Sequence, residues 1–141
     1  MDYGAASVGL AISDESRQVS FGRGVLDRKK GFDDVGGKIG ELCVTEKISL
    51  VVIGLPLDEE GGETEQTKRV RNFAKKLEPY LRGIPVTFFD ESFTSFEANS
   101  MLAAMRIKSS QRKPLEDELA AMLILERFLG SQTGETASGQ L

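Results

Sequence analysis

The chain has 141 residues, of which 40% are hydrophobic and 28% charged, and its formal net charge is −4. This profile predicts one soluble globular domain without room for a second core. The absence of histidine and the single cysteine exclude Ser-His-Asp and Cys-His catalysis and an internal disulfide. Because there is neither an apolar run of about 20 residues nor the pattern of a signal peptide, we expect a cytoplasmic protein without a membrane partner.

The first half of the chain predicts strands and helices in alternation. Residues 7–13 alternate between apolar and polar side chains, as in a half-buried strand, and 19–26 form a weaker strand with two glycines. A helical period of apolar residues runs through 32–48. The continuous apolar run 49–56 is typical of a central parallel strand, and residues 64–81 predict an amphipathic helix.

The segment that follows predicts another strand and another helix. Residues 84–89 are an apolar strand, and Thr94 and Glu97 fit a capping box at the start of a helix that ends near Met105. The polar and basic residues 107–113 predict a loop.

Pro114 suits the first turn of a last helix, which we expect to end at about Leu129. We place the domain at residues 1–129 and predict that 130–141, which are small and polar, form a disordered tail. The order of elements predicts an α/β fold with one mixed sheet and helices on both faces. Ligands of such sheets bind where strands end, so the residues at strand ends are candidates for function.

Acidic residues stand at the ends of several predicted elements. Asp2 precedes the first clear strand, Asp90 and Glu91 end a later strand, and Asp117 heads the inward-facing stripe of the last helix. Each alone has a simpler explanation as a turn residue, a cap or an acid at a helix start. As a set in a protein without histidine they predict a shared cation, because carboxylates within a few Å cannot all stay ionised without one.

The chemistry of carboxylates narrows the choice of cation. Hard oxygen ligands favour Mg²⁺ or Mn²⁺ over zinc. Two such ions about 4 Å apart would activate water and stabilise the leaving oxygen in phosphodiester hydrolysis. The acids therefore predict a metal-dependent phosphodiester hydrolase.

Several motifs, in this order and spacing, resemble those of one protein family. They are Asp-Tyr-Gly at 2–4 followed by VGLAISD at 8–14, VVIGLPL at 51–57, DESFTSFEA at 90–98 and EDELAAMLIL at 116–125. The sequence is similar to the YqgF-type, Holliday-junction-resolvase-like proteins, which have a ribonuclease-H-like fold and are described as candidate pre-16S rRNA nucleases. The resemblance runs from Asp2 to about Leu129.

The resemblance implies which residues form the site. The catalytic metal ligands of the family match Asp2, Glu91 and Asp117, and Mg²⁺ or Mn²⁺ is the expected cofactor. Asp90 is expected to support the site without binding the metal, because neighbouring strand residues point to opposite faces. The residues alone do not choose between Asp90 and Glu91 as the ligand.

The sequence departs from the family pattern in two places. Ser92 and Phe93 stand where the family often has Arg-Leu, so one phosphate-contacting cation is missing. The family also has an apolar strand before Asp-Tyr-Gly, whereas this chain has Met1 alone, so we expect a truncated first strand. Either the natural start lies upstream, or the first ligand lies at a fraying terminus beside a positive α-amino group, which would weaken metal binding.

Two groups of basic residues predict contacts with nucleic acid. The first lies on the helix 64–81, where a solvated charged face is the alternative, and the second precedes Asp117 with no acid within it. Lys and Arg contacts to phosphates would hold a substrate near the metal ions with salt-sensitive affinity. The residues are Lys68, Arg69, Arg71, Lys75 and Lys76 in the first group, of which the first three are the predicted contacts, and Arg106, Lys108, Arg112 and Lys113 in the second.

The leading hypothesis is a metal-dependent endonuclease that acts on structured RNA, namely a precursor of 16S rRNA, with branched DNA as the other substrate that the resemblance suggests. The second hypothesis is a non-catalytic nucleic-acid-binding or ribosome-assembly factor, which the truncated first strand favours. An actin-like ATPase or sugar kinase shares Asp-x-Gly at a hairpin but normally needs two domains. A homodimer is a further prediction.

Overall fold

Five strands form the sheet. In a computed structural model of the protein, residues 1–91 and 94–140 are described, without the side chains of 94–96, 109 and 133–140. Most strands fall where the apolar patterns predict them, and the first is the short strand expected. They are β1 Asp2–Tyr3, β2 Ser7–Ser13, β3 Ser20–Asp27, β4 Val51–Leu55 and β5 Val86–Asp90.

The strands pair in two groups that Met1 joins. β1, β2 and β3 are antiparallel, with Asp2 opposite Gly9, and β4 and β5 are parallel. The Met1 nitrogen donates to the Val52 carbonyl at 2.6 Å, and the Gly54 nitrogen donates to the Met1 carbonyl at 3.0 Å. These two bonds form a parallel bridge beside β1. The mixed sheet therefore has the order β3-β2-β1-β4-β5.

Helices cover both faces of the sheet, as the sequence predicts. The first two helices enclose the main apolar core with one face of β2 and β4, whereas the last helix packs on the other face and the third helix packs on the last. Within residues 1–91 and 94–140, none of the helices has the length and apolarity of a membrane-crossing segment. The helices are α1 Phe32–Thr45, α2 Glu65–Leu81, α3 Thr94–Ala104 and α4 Ser109–Gln140.

The core follows from the alternation of side chains along each strand. Val8 and Ile53 point toward α1 and α2 and are fully buried, as are Leu77 and Leu81 of α2. Burial of each such aliphatic side chain contributes about 1.5–3 kcal/mol. The residues that alternate with the core residues along β2 and β4, such as Gly9 and Gly54, face α4 instead.

The end of the chain differs from the prediction. α4 begins at Ser109, so the loop predicted over 107–113 is wrong for most of its length, and Pro114 lies inside the helix. Pro114 has no backbone N–H and so removes one intrahelical hydrogen bond, but the helix continues through it. The predicted end of the helix at about Leu129 is also wrong, since α4 continues to Gln140. The disordered tail predicted for residues 130–141 stays a prediction.

α4 can continue past Leu129 because no proline follows that residue, and each glycine beyond it weakens a helix by only about 1 kcal/mol. The domain boundary drawn at residue 129 stays a prediction. The capping box predicted for Thr94 and Glu97, and the departure at residues 92–93, lie outside the part of the chain whose side chains are described.

Candidate active site

Three acids are buried together on the face of the sheet that α4 covers. Asp2, Glu91 and Asp117 expose 4%, 9% and 3% of their surface, although acids are almost never buried without partners. Among the described residues, Thr67 is the only other polar residue that is buried. The chain thus places its most costly side chains together, which is typical of functional sites.

Each acid is positioned by a different element. Asp2 lies in β1, opposite Gly9 of β2. Glu91 follows β5 directly, and its backbone nitrogen donates to the carbonyl of Leu55 at the end of β4, at 3.2 Å. Asp117 lies in α4, which crosses β2. The site therefore forms only when β1, β5 and α4 are all in place.

Glycines make the room that this convergence requires. A Cβ atom on Gly9 would lie 1.9 Å from the backbone oxygen of Asp117, so α4 crosses β2 closer than any other residue would allow. A Cβ on Gly54 would lie 2.7 Å from Glu91 Oε2, and one on Gly4 would lie 3.2 Å from Asp117 Oδ2. Asp117 and Glu91 thus approach the backbone at positions without side chains.

Interactions between the acids tie the site together. Burial raises the pKa of Asp2 above its ordinary value, and the negative charge of Asp117 adds to the rise, against an opposing hydrogen bond with Glu91. Ser7 at the start of β2 donates a hydrogen bond from its hydroxyl to Asp117 Oδ2. Asp2 is therefore the acid whose environment resists ionisation, while Ser7 fixes the orientation of Asp117.

Asp90 and Glu91 differ in burial, as expected of neighbouring residues at the end of a strand. Glu91 is buried beside Asp2, whereas Asp90 is exposed. This geometry distinguishes the two residues where the residue types alone do not.

The donor set suits a divalent cation, although the acids are not arranged around one. Three buried carboxylates are the hard oxygen ligands that Mg²⁺ and Mn²⁺ prefer. Across residues 1–91 and 94–140, however, no three acidic side chains are already spaced to hold a metal ion. The hydrogen bond between Asp2 and Glu91 needs a proton on one of them, and a cation bound between the two would replace that proton.

Met1 lies against the acids and is not frayed. Its nitrogen and its carbonyl are both hydrogen-bonded to β4, in contrast to the fraying terminus considered above. Burial lowers the pKa of its α-amino group to about 6, and the charges of Asp2 and Glu91 oppose this fall.

The predicted basic residues are only partly brought to the site. The charge of Lys113 acts on Asp2, so this exposed ammonium group lies at the rim of the acids. The Arg112 Nε donates to the carbonyl of Ile107 at 2.8 Å, and Arg106 and Lys108 are exposed at the turn between α3 and α4.

The α2 residues form a separate group with different partners. Lys68 pairs with Glu65 at 3.3 Å, and Arg71 pairs with Glu63 at 2.5 Å. Arg69 donates to the neutral amide oxygen of Gln66 at 3.3 Å. Lys68 and Arg71 are therefore each paired with an acid, as expected of a solvated face, whereas the partner of Arg69 is neutral.

Sequence reasoning missed Ser7, Gly9 and Gly54. Gly9 and Gly54 interrupt strands whose other residues are mostly β-branched or aliphatic, and an isolated glycine in a strand signals a close backbone approach. That signal was present in the motifs VGLAISD and VVIGLPL. Ser7 had none, because a serine at the start of a strand is common.

A sheet of order β3-β2-β1-β4-β5 with helices on both faces, and with acids at the ends of β1 and β5 and on α4, defines a ribonuclease-H-like α/β protein. The sequence matches the family described as RuvX: Holliday junction resolvase over residues 1–131. The chain belongs to this family.

Proteins from several bacteria are similar over nearly the whole chain. One from Dictyoglomus thermophilum is 37% identical over 136 residues, which are 96% of this chain and 96% of the relative. One from Orientia tsutsugamushi is 38% identical over 92% of this chain and 80% of its own. One from Caldanaerobacter subterraneus is 36% identical over 94% of each. All three carry the name "Putative pre-16S rRNA nuclease".

Proposed function

We propose that the protein is a metal-dependent endonuclease that hydrolyses phosphodiester bonds in structured RNA, with a precursor of 16S rRNA as its substrate. The observation that carries the proposal is the convergence of Asp2, Glu91 and Asp117 at one buried place from distant parts of the chain. Membership of the family and the name shared by the relatives support the reaction and the choice of substrate.

The three acids would hold Mg²⁺ or Mn²⁺ through carboxylate oxygens. When bound, the cation supplies neutralisation of charge on the phosphodiester and increases the acidity of water. Ser7 holds the carboxylate of Asp117 in one orientation by its hydrogen bond. The burial of all three acids lowers the local dielectric constant, which strengthens their attraction for a cation.

Lys113 is the basic residue that we expect to contact the substrate backbone beside the acids. Its ammonium group is exposed, and its charge reaches Asp2. Arg106, Lys108 and Arg112 come shortly before it at the end of α3 and the start of α4, and would extend the phosphate contacts away from the acids. Such contacts position a nucleic acid without reading its sequence.

The direct test compares two neighbouring acids in a cleavage assay. A fragment of 16S rRNA precursor is incubated with the protein in Mg²⁺, in Mn²⁺ and in a chelator. We expect cleavage only with metal and a loss greater than about 100-fold for Glu91→Gln. For Asp90→Asn we expect a loss of about 10-fold, the lower end of the range for a residue that only supports a ligand. Equal effects of the two substitutions would remove Glu91 from the metal site.

Branched DNA is the second candidate substrate, because the family description names a Holliday junction resolvase. A four-way DNA junction is therefore assayed beside the RNA at the same protein and metal concentrations. Cleavage of the junction alone would assign the activity to DNA. Salt-sensitive binding of either substrate without cleavage in both metals would favour the non-catalytic binding factor.

A further inference from the structure

A second concave surface lies on the face of the sheet that is opposite to the acids. It is a cavity of about 240 Å³ between Tyr3 at the end of β1, the start of α1 and the outer side of α2. This is below the roughly 300–1,000 Å³ of pockets for drug-sized ligands, so it suits a small ligand or one part of a nucleotide, such as its phosphate. The side chains that line it include Tyr3, Arg28, Phe32, Arg69, Asn72 and Lys76.

The wall of the cavity is positive and includes no acid. Arg69 and Lys76 are seven residues apart on α2 and therefore lie on the same side of the helix, with Asn72 between them. Arg28 reaches the same cavity from the short helical turn before α1. The acids nearest in sequence, Asp27 and Asp33, are engaged by the Lys29 backbone nitrogen and the Tyr80 hydroxyl.

No acid neutralises the three cations of the cavity within the described part of the chain. The Arg28 guanidinium donates to the carbonyls of Gly4 and Ala5 at 2.6 and 2.8 Å. Arg69 contacts only a neutral amide, and the Lys76 ammonium lies 6.0 Å from the centre of the Phe32 ring. Their combined charge therefore attracts an anion, in contrast to the paired Lys68 and Arg71 of the same helix.

Aromatic rings supply the remaining part of the wall. Tyr3 packs against Phe73 with ring centres 4.6 Å apart, and Phe32 meets Phe73 edge-on at 5.8 Å. The Arg28 guanidinium lies 4.2 Å above the Tyr3 ring. Cations together with aromatic side chains also line the grooves that bind single-stranded nucleic acids.

We propose that this cavity binds a nucleotide, with its phosphate between Arg69, Lys76 and Arg28 and its base or sugar against Tyr3 and Phe32. The nucleotide is either free or part of a nucleic acid chain, and both sources present the same phosphate and base. Binding does not require that the protein cleaves RNA, because it is measured without turnover.

The cavity is linked to the acids through Arg28. Its guanidinium holds the carbonyls of Gly4 and Ala5, which lie in the turn between Asp2 and Ser7. A phosphate that draws Arg28 into the cavity competes with these two hydrogen bonds. A ligand in the cavity should therefore shift the turn between Asp2, a candidate metal ligand, and Ser7, which orients Asp117.

The test titrates the full chain, labelled with ¹⁵N, with AMP, with inorganic phosphate and with a single-stranded RNA of eight nucleotides. The matched variants are Lys76→Ala and Lys75→Ala, which remove the same charge from adjacent exposed positions of α2, only the first of which lines the cavity. We expect Lys76→Ala and Arg69→Ala each to weaken binding at least about fivefold, and Lys75→Ala to change it less than twofold. Amide shifts of the wild type should centre on residues 28–32 and 69–76.

Each outcome decides the proposal. Binding of AMP that Lys76→Ala weakens supports a cavity that accepts free nucleotides, and binding of the RNA alone with the same dependence supports a nucleotide within a chain. Absence of binding by all three probes, or equal weakening by Lys75→Ala and Lys76→Ala, would overturn it. The same titration of Asp117→Asn separates the two proposals, because nucleotide binding should persist in a protein that cannot cleave.

Discussion

α1 and α2 cover one face of the sheet with large side chains, whereas α4 approaches the other face at small residues, beside the large Ile124. Val8, Ile53 and Leu77 are fully buried under the first two helices. Under α4 the strands present Gly9 and Gly54, and the helix answers with Ala120 and Ala121, both fully buried. The face under α1 and α2 therefore buries more apolar surface, whereas under α4 the backbones of helix and strands lie closer together.

This difference shows how one small domain separates stability from chemistry. Large aliphatic side chains supply most of the hydrophobic stabilisation, and they are concentrated away from the acids. The small residues of the α4 face contribute less burial, yet they allow Asp117 and Glu91 to approach strands closely. The apolar core on the other face can therefore offset the free-energy cost of burying the acids.

The largest expected effect comes from removing the carboxylate charge of Asp117 on α4. Asp117→Asn should reduce RNA cleavage more than about 100-fold, because even residues that only orient metal ligands cost about 10- to 100-fold. Initial rates with Mn²⁺ measure the effect, and far-UV circular dichroism should be unchanged. Glu116→Gln, the adjacent position on the same helix, is the control and should cleave at the wild-type rate. Normal cleavage by Asp117→Asn would show that Asp117 on α4 does not take part in catalysis.

The next effect tests the closeness of α4 and β2. Gly9→Ala puts a Cβ within 1.9 Å of the Asp117 backbone oxygen, so it should lower the free energy of unfolding by about 1–3 kcal/mol, as overpacking does. Gly37→Ala is the counterpart on α1, where a Cβ meets nothing within 4 Å. It should raise stability by about 0.5–1 kcal/mol. Urea unfolding of both variants measures the contrast, and similar values would contradict it.

A smaller effect is expected from the hydroxyl that orients Asp117. Ser7→Ala removes the hydrogen bond to that carboxylate and should reduce cleavage about 10-fold, in the range of residues that position metal ligands. The required metal concentration should rise in parallel. Ser13→Ala, at the other end of β2, removes a bond to the Asp14 carbonyl and should leave cleavage unchanged. Identical rates for Ser7→Ala and wild type would remove Ser7 from the site.

The smallest effect concerns pH. Because the raised pKa of Asp2 makes the folded state bind a proton more tightly than the unfolded chain, metal-free stability should fall as pH rises from the usual carboxyl pKa through that of Asp2. Above it the loss stays constant. Asp2→Asn should therefore be more stable than wild type at pH 7, by on the order of 1 kcal/mol, and the difference should shrink toward pH 4.

Chemical unfolding at pH 4 and pH 7 checks this sign. Asp14→Asn serves as the opposite case, because a hydrogen bond from Ser16 lowers the pKa of Asp14 and its removal should reduce stability at neutral pH. A wild-type protein that gains stability from the ionisation of Asp2 would contradict the burial of this carboxylate.

Much of the architecture follows from patterns in the sequence. Alternation over 7–13, the apolar run 49–56 and the helical period in 64–81 depend on local side-chain order, and these elements are confirmed. The start of α4 does not follow from the sequence pattern, because Pro114 is typical of a first helical turn. In the structure the helix begins earlier, at Ser109, and continues through the proline.

The site was predictable in its members but not in its arrangement. Residue types and motifs single out the acids, yet Asp90 and Glu91 are equivalent until the sheet places one inside and one outside. The contacts of Gly9 and Gly54 depend on α4, which lies far along the chain. The cavity beside Tyr3 is formed by three separate elements, so no single stretch of sequence announces it.

The hydrogen bond between Ser7 and Asp117 spans 110 residues of sequence. Contacts of such separation form late, since the entropy of closing a long loop must be overcome first. A nascent chain still emerging from the ribosome, with α4 not yet synthesised, already has β1 and β2 but lacks the third acid. The three acids can therefore come together only once α4 has been synthesised, so the last helix of the described chain completes the candidate site.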